Sequence, residues 1–516
     1  MRNHLFPSFI LRRIFFCFLI LLEIGVLVVL ILIGGSYSGI ISLLFRLLSL
    51  LVALYVVSKK DKGGYKLIWV FLVLLMPTIG GVMYIFFNNQ RTTKSYVRAS
   101  ARVEAEVRPL FRLPPSVKTA HLRARHDAPS YTVNMRYLDM QEGFPVYSNT
   151  ETEFLTPGEV FFPRLLEELE KAEKYIFMEY FIIENGVMWD AIIDILERKA
   201  AQGIEVRIIY DDVGCFLTLP KHFRQNMQDK GIKCIIFNPF SPFVTTIQNN
   251  RDHRKITAID GKCAFTGGIN LSDEYINVIQ KHGYWKDSAI MVRGEAAWSL
   301  TLFFLEIWQI AQKAPDNYYD FYPWKNVAPP TLSATQGYVQ PYCDSPIDSE
   351  HVSEHVYMHM ITTAQKYIYI STPYLIIDDS MISALCLAAK SGIDVRIVTP
   401  GKWDKWIIYQ ASRSSFRDLV TAGVKIYTYT PGFIHSKAFI VDDRCATVGT
   451  VNLDYRSLYL HFECGVWLLD TPSIASVKED FMQILDVSDE LLPEELRYNP
   501  TWSVARQILR LFAPIL

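Results

Sequence analysis

Two stretches of this 516-residue chain carry the same reactive side chains at the same spacing. His253, Lys255, Asp260, Gly267 and Asn270 recur as His435, Lys437, Asp442, Gly449 and Asn452, and both sets obey H-x-K-x4-D-x6-G-x-x-N. A His and a Lys two residues apart share one face of an extended strand. The apolar runs 256–259 and 438–441 continue such a strand, and the glycines permit a tight turn that brings each Asn forward. This set suits phosphoryl chemistry. An imidazole can attack phosphorus, a lysine can neutralise the nonbridging oxygens, and an asparagine can donate to them. A second imidazole must then protonate the leaving alcohol and deprotonate its replacement. Two copies supply one nucleophile and one acid/base, with no metal or cofactor required. One His-x-Lys alone would carry almost no information.

The elements around these motifs are also repeated. From about residue 143, strand-like and helix-like patterns alternate, as in αβ layering on a mainly parallel sheet. The run 174–177 (Lys-Tyr-Ile-Phe) returns at 366–370 (Lys-Tyr-Ile-Tyr-Ile), and 203–209 (Gly-Ile-Glu-Val-Arg-Ile-Ile) returns at 392–398 (Gly-Ile-Asp-Val-Arg-Ile-Val). Similar segments in the same order indicate an internal duplication. It predicts an α/β fold of two halves, 143–325 and 350–516, joined by a Pro-, Ser- and Thr-containing linker at 326–349. The halves form a pseudo-twofold pair whose active groups meet at their interface.

Ahead of the halves lies a membrane region, 1–90, with apolar segments at 14–33, 40–57 and 67–87. A helix needs ~20 residues to cross the ~30 Å hydrocarbon core. Arg12 and Arg13 precede the first segment as in a signal peptide, but its length favours a retained segment. Arg2, Arg12 and Arg13, then Lys59, Lys60, Lys62 and Lys66, then Arg91, Lys94, Arg98 and Arg102 flank the segments. All three groups favour the cytoplasm, which three full crossings cannot satisfy. The preferred reading is an ordinary Pro-containing helix over 67–87 with one violated charge rule. The alternative is a segment that dips in and returns at Pro77, Gly80 and Gly81. In the connecting region 91–142, Arg91, Lys94, Arg98 and Arg102 share one helix face suited to anionic lipids.

Composition narrows the class. With 52 Lys plus Arg against 53 Asp plus Glu, a net charge of -1, there is no basic field for nucleic acid. An apolar share of 50% with 20% charged residues excludes a largely disordered chain. Eight scattered cysteines without CxxC support neither a disulfide framework nor a Cys-rich metal site.

On its paired motifs the sequence resembles the phospholipase D superfamily, and within it the bacterial cardiolipin synthases. The likeness extends to Pro77-Thr-Ile-Gly80-Gly-Val-Met-Tyr84 and to the C-terminal stretch 506–516. The resemblance implies His253 as nucleophile and His435 as general acid/base, with Lys255, Lys437, Asn270 and Asn452 on the phosphoryl group. Asp260 and Asp442, the third members of the motifs, are expected to hold the local hydrogen-bond network. Glu463, 28 residues after His435, and its counterpart Asp287 are expected to orient imidazoles. Glu179, Tyr180 and Tyr374 are expected near the mouth of the site. Three residues depart from the commonest family pattern: Gly268 and Thr450 stand where Ser is frequent, and His461 where Asn is frequent.

The implied reaction joins two phosphatidylglycerols through a phosphatidyl-histidine, releasing glycerol, at the cytoplasmic side of a multi-pass membrane protein. Anionic lipids are expected partners, and association between copies is left open. A phospholipase D, a transferase with another donor such as CDP-diacylglycerol, and a noncatalytic membrane scaffold are the alternatives. The C-terminal segment, with Trp502, Val504, Ile508, Leu509, Leu511 and Phe512 against Arg506 and Arg510, reads as an amphipathic helix at the interface or packed on the catalytic region.

Overall fold

A computed structural model describes residues 38–87, 94–239, 250–312, 314–332, 335–496 and 500–515, with a few positions between 21 and 28. The apolar segment 14–33 and Arg91 lie largely or wholly outside the described residues.

Near the N-terminus, α1 (Ser38–Ser58) is long and apolar enough to cross a membrane and is mostly exposed on the protein. The segment after it does not form the single helix preferred from its sequence. It breaks into α2 (Gly63–Leu75) and α3 (Gly80–Phe87) around Pro77. At 13 residues α2 is about 20 Å long, too short to cross. Proline removes a backbone donor, and Gly80 lets the returning helix lie against α2: a Cβ there would stand 2.7 Å from Val73 Cα. Ser49, midway along α1, donates to Val73 O at 3.1 Å and Pro77 O at 3.0 Å, placing the break beside the middle of that helix. The return is complete by Tyr84, whose ring lies 5.4 Å from Trp69 and under Lys59 Nζ at 5.0 Å. The segment thus folds back on itself, as in the alternative reading, and does not continue as one long helix. Lys94, Arg98 and Arg102 then fall on α4 (Lys94–Val107), whose Val103 and Val107 are buried.

Two sheets follow with one topology. The first runs β1 (Thr150–Leu155), β2 (Tyr175–Tyr180), β3 (Glu205–Asp211), β4 (Lys233–Phe237), β5 (Lys255–Ile259), β6 (Cys263–Gly267) and β7 (Ala289–Gly294), in spatial order 1-7-6-5-2-3-4. The second runs β8 (Tyr338–Asp344), β9 (Tyr367–Ser371), β10 (Asp394–Pro400), β11 (Lys425–Tyr429), β12 (Ala438–Val441), β13 (Cys445–Gly449) and β14 (His461–Leu469), in order 8-14-13-12-9-10-11, with β15 (Ser488–Glu490) added beyond β11. Strand for strand, the second order repeats the first. In each half the first helix-linked strands are parallel and the hairpin after the His-x-Lys strand is antiparallel. The sheet is therefore mixed. The stretch 326–349 is not all linker, since β8 lies within it as the edge strand of the second sheet.

The helix Ala297–Gln312 is buried along nearly its whole length. Its Phe303 and Trp298 pack beside Phe111, Phe144 and Tyr322, tying the connecting region 91–142 to the first half. Such a helix, apolar all round, reads as interior packing.

Candidate active site

The site is made by exchange between the halves. Arg251–Asp252 leaves the first sheet and pairs with the start of β14, His461 opposite Arg251 and Phe462 opposite Asp252. Reciprocally, Gly432–Ile434 pairs with Tyr284–Lys286. Each crossing ends on a histidine: His253 N donates to Phe462 O at 3.0 Å, and His435 N to Lys286 O at 2.7 Å. Each imidazole is thereby set against a carboxylate of the opposite half. His253 Nδ1 lies 2.8 Å from Glu463 Oε1, and His435 Nδ1 lies 2.6 Å from Asp287 Oδ2. A nitrogen facing a carboxylate carries the proton, so Nε2 of each ring keeps its lone pair for chemistry. Both carboxylates are fully buried. Thr450 Oγ1 donates to Glu463 Oε2, while Ser288 N donates to Asp287 Oδ1 at 2.8 Å.

Both histidines line one cavity of about 540 Å³, together with Asn270, Asn452 and Tyr374. Aromatic rings hold the imidazoles: Phe181 is 5.1 Å from His253, and Trp285 and Tyr275 are 5.2 and 5.6 Å from His435. Lys255 and Lys437 are buried beneath them. Lys255 Nζ donates to His253 O at 2.5 Å, and Lys437 Nζ donates to His435 O and lies 2.7 Å from His435 Nδ1. Asn270 is fixed by Ile182 N, which donates to its Oδ1 at 3.0 Å, and it donates to Tyr275 Oη at 2.7 Å. Asn452 Oδ1 is buried without a protein partner.

Burial sets the electrostatics. It pushes both imidazoles well below their ordinary pKa, with Lys255 adding to the effect on His253 and Lys437 to that on His435. It raises Asp287 and Glu463 to about 7 and lowers Lys255 to about 8 and Lys437 to about 7. Neutral imidazoles are nucleophiles. A phosphodiester anion between the lysines would raise the pKa of lysine and imidazole alike, arming one histidine as an acid.

The remaining expected residues are distributed unevenly. Asp260 and Asp442 lie outside the cavity lining, each in a left-handed conformation, φ 53° and 57°. Asp260 accepts the N–H groups of Glu173, Lys174 and Tyr175, each at 2.8 Å. Asp442 accepts those of Gln365, Lys366 and Tyr367 at 2.7–2.9 Å, and the Tyr131 hydroxyl at 2.8 Å. They staple the entry of β2 and β9, at a distance from the chemistry. Glu179 and Tyr180 do not form the mouth. Glu179 is fully buried against Arg254, and Tyr180 Oη lies 2.7 Å from Thr257 Oγ1 inside the sheet. Strand β2 ends at Tyr180, and the next residue, Phe181, reaches the cavity in their place.

His253, His461 and Glu463 are close enough together to hold a small cation. Their surroundings oppose one, because Arg251, Arg456 and Lys255 direct positive charge at His461. The site favours an anion. Phe181, Tyr275, Trp285 and Arg251 were not singled out from sequence. Aligning the two copies sets Arg251 against Phe433, two residues before each histidine, so the repeat carries no signal for Arg251.

Residues 165–289 and 357–485 each match the family described as "Cardiolipin synthase, PLD-like domain", and residues 47–87 match "Phospholipase_D-nuclease N-terminal". An uncharacterized protein of Streptococcus mutans is 41% identical over 90% of this chain and 99% of its own length. A cardiolipin synthase of Alkalihalophilus pseudofirmus is 34% identical over 93% of this chain and 94% of its own. Among solved structures, the phosphatidylserine synthase of Haemophilus influenzae shares the fold, with a TM-score of 0.54 at 18% identity, covering 71% of this chain and 93% of that one. Duplicated α/β halves with a histidine pair at their seam define a phospholipase D-like enzyme. More narrowly, the chain belongs to the cardiolipin synthase family of phosphatidyltransferases.

Proposed function

We propose that the enzyme transfers a phosphatidyl group from one phosphatidylglycerol to a second, releasing glycerol. One imidazole Nε2 attacks the donor phosphorus, and glycerol leaves with a proton from the other imidazole. The same imidazole then deprotonates the acceptor's primary hydroxyl, whose oxygen displaces the enzyme nitrogen to give cardiolipin. By resemblance His253 is the nucleophile and His435 the acid/base. Lys255, Lys437, Asn270 and Asn452 bind the phosphoryl oxygens. One phosphodiester replaces another, so no nucleotide is consumed. The observation that carries this reading is the pair of buried, carboxylate-oriented imidazoles in one cavity. We further place the catalytic halves at the cytoplasmic face, where Lys59, Lys60 and the basic face of α4 meet anionic lipid.

The test is incubation of the purified enzyme with phosphatidylglycerol vesicles, all lipids and glycerol being measured by mass spectrometry. One cardiolipin and one glycerol for two phosphatidylglycerols consumed is the expected result. Mostly phosphatidic acid would make it a hydrolase, and turnover only with CDP-diacylglycerol a different transferase.

A further inference from the structure

The segments that wall the catalytic cavity also carry exposed apolar side chains. Val213 lines the cavity, and in the same loop Leu217 is 81% exposed. Lys281 and His282 line it, and just before them Val278 and Ile279 are more than half exposed. Asp404, Lys405 and Ile408 line it, while Trp403 and Ile407 project outward beside them, 53% and 48% exposed. Single exposed apolar residues are ordinary on protein surfaces; several gathered around one opening are not.

This rim is continuous with the membrane helices. The helix α5 (Trp406–Ser412) packs against α6 (Pro500–Phe512), where Arg506 Nε donates to Gln410 Oε1 at 3.3 Å. On α6, Val504, Ile508 and Leu511 follow at helical spacing and so share one stripe. The first two are exposed, and Leu511 packs on the cluster formed by α1, α2 and α3. One residue past α6, Ala513 lines the cavity, and Pro514 lies against Gly64 at the start of α2. Apolar side chains therefore extend along α6 from the membrane helices to the cavity at Ala513. The charge of the rim is complementary to anionic lipid, since Lys281, Lys402 and Lys405 are exposed along it.

We propose that this rim is a second membrane-docking surface, resting in the headgroup and outer acyl layer of an anionic bilayer, so that the cavity opens into lipid. Trp403 is its aromatic anchor. Such a placement matches the preference of tryptophan for the interface and of flanking lysines for anionic headgroups. A lipid then enters by sliding from the bilayer into the cavity, with little of its acyl surface crossing water.

The test uses the full-length enzyme in phosphatidylglycerol/phosphatidylcholine vesicles, with its native cysteines replaced by alanine or serine and an environment-sensitive fluorophore on a single introduced cysteine. W403C, I279C and L217C are compared with V327C, which belongs to the stretch that leads to Pro330 and Leu332, held by Asn149 at the far end of the first sheet. Phosphatidylcholine carrying a shallow spin label should quench the three rim sites at least threefold more than position 327. Equal quenching at all four positions overturns the proposal. So does quenching replaced by energy transfer between labelled copies, which would make the rim a protein–protein face. This readout is independent of turnover, so an enzyme that makes no cardiolipin yet shows rim quenching refutes the proposed reaction and leaves the docking surface standing.

Discussion

Glu463 meets His253 at 2.8 Å across 210 residues of sequence, so a carboxylate of the second half orients the histidine of the first. A carboxylate in that position fixes the tautomer and stabilises the imidazolium that forms during proton transfer. Glu463→Gln and Asp287→Asn should each lower kcat by about 10²–10⁴-fold with a small change in KM. Steady-state kinetics on phosphatidylglycerol vesicles check this, and an unchanged kcat would remove the carboxylates from the mechanism.

Gly268, where the family pattern favours Ser, is explained by its neighbour. A Cβ on residue 268 would overlap Asp287 Oδ1. Thr450, at the equivalent position of the second half, instead donates its hydroxyl to the longer Glu463. Gly268→Ser should therefore displace Asp287, loosen His435 and cost at least tenfold in kcat, despite restoring the commoner residue. Thr450→Ser keeps the hydroxyl and should retain most activity.

The pH profile should be bell-shaped and narrow. Below about 7, Asp287 and Glu463 gain protons and stop accepting from the imidazoles. Above about 7 to 8, Lys437 and Lys255 lose their charge, and with it the hold on the phosphoryl oxygens proposed for them. Thus kcat/KM, which reports the free enzyme, should peak near neutrality. Lys437→Arg, always charged, should move the alkaline limb upward while lowering the maximum. An alkaline limb that does not move would assign it to another group.

Asp260→Ala should act on the fold. It removes the acceptor of three N–H groups at the entry to β2, a loss of about 2–4 kcal/mol in stability by the usual strength of hydrogen bonds to a charged group. Thermal unfolding measures it. Collapse of kcat in protein that remains fully folded would return the residue to the catalytic set.

On the proposed cytoplasmic placement, the fold-back at Pro77 puts the α1–α2 connection and α4 on the same side of the membrane. Single cysteines at Lys60 and Arg98 should resist an impermeant maleimide in intact cells and react after permeabilisation. Opposite behaviour at the two positions would restore a crossing helix over 67–87.

Much of this was written in the sequence. The duplication was legible because strand and motif recur in the same order, and spacing alone paired each histidine with its lysine. The break at Pro77 was visible as a possibility but ranked second, because apolar length speaks for a crossing and the packing of Gly80 on Val73 has no local signature. The crossing of Glu463 to His253 and Asp287 to His435 could not be read, since pairing between halves depends on the short strands Arg251–Asp252 and Gly432–Ile434 leaving their own sheets. Glu179 and Tyr180 were misplaced by one or two residues: being next to the site in sequence put them inside the strand that supports it. Arg254, between the paired residues of the first motif, explains Glu179: burial pushes that carboxyl well above its usual range and the adjoining guanidinium pulls against the shift.

The unlike surroundings of the two imidazoles bear on how one molecule can play two parts. His253 sits beside Phe181 and His461, while His435 sits among Tyr275, Trp285 and Phe433. Donor and acceptor in the proposed reaction are the same compound, so their chemical identity cannot tell the enzyme which to cleave and which to extend. In that reaction the donor is the lipid that meets the free histidine and the acceptor the one that meets the phosphatidyl-histidine, so the divergence of the duplicated halves serves to fix which of the two imidazoles carries the lipid between the steps.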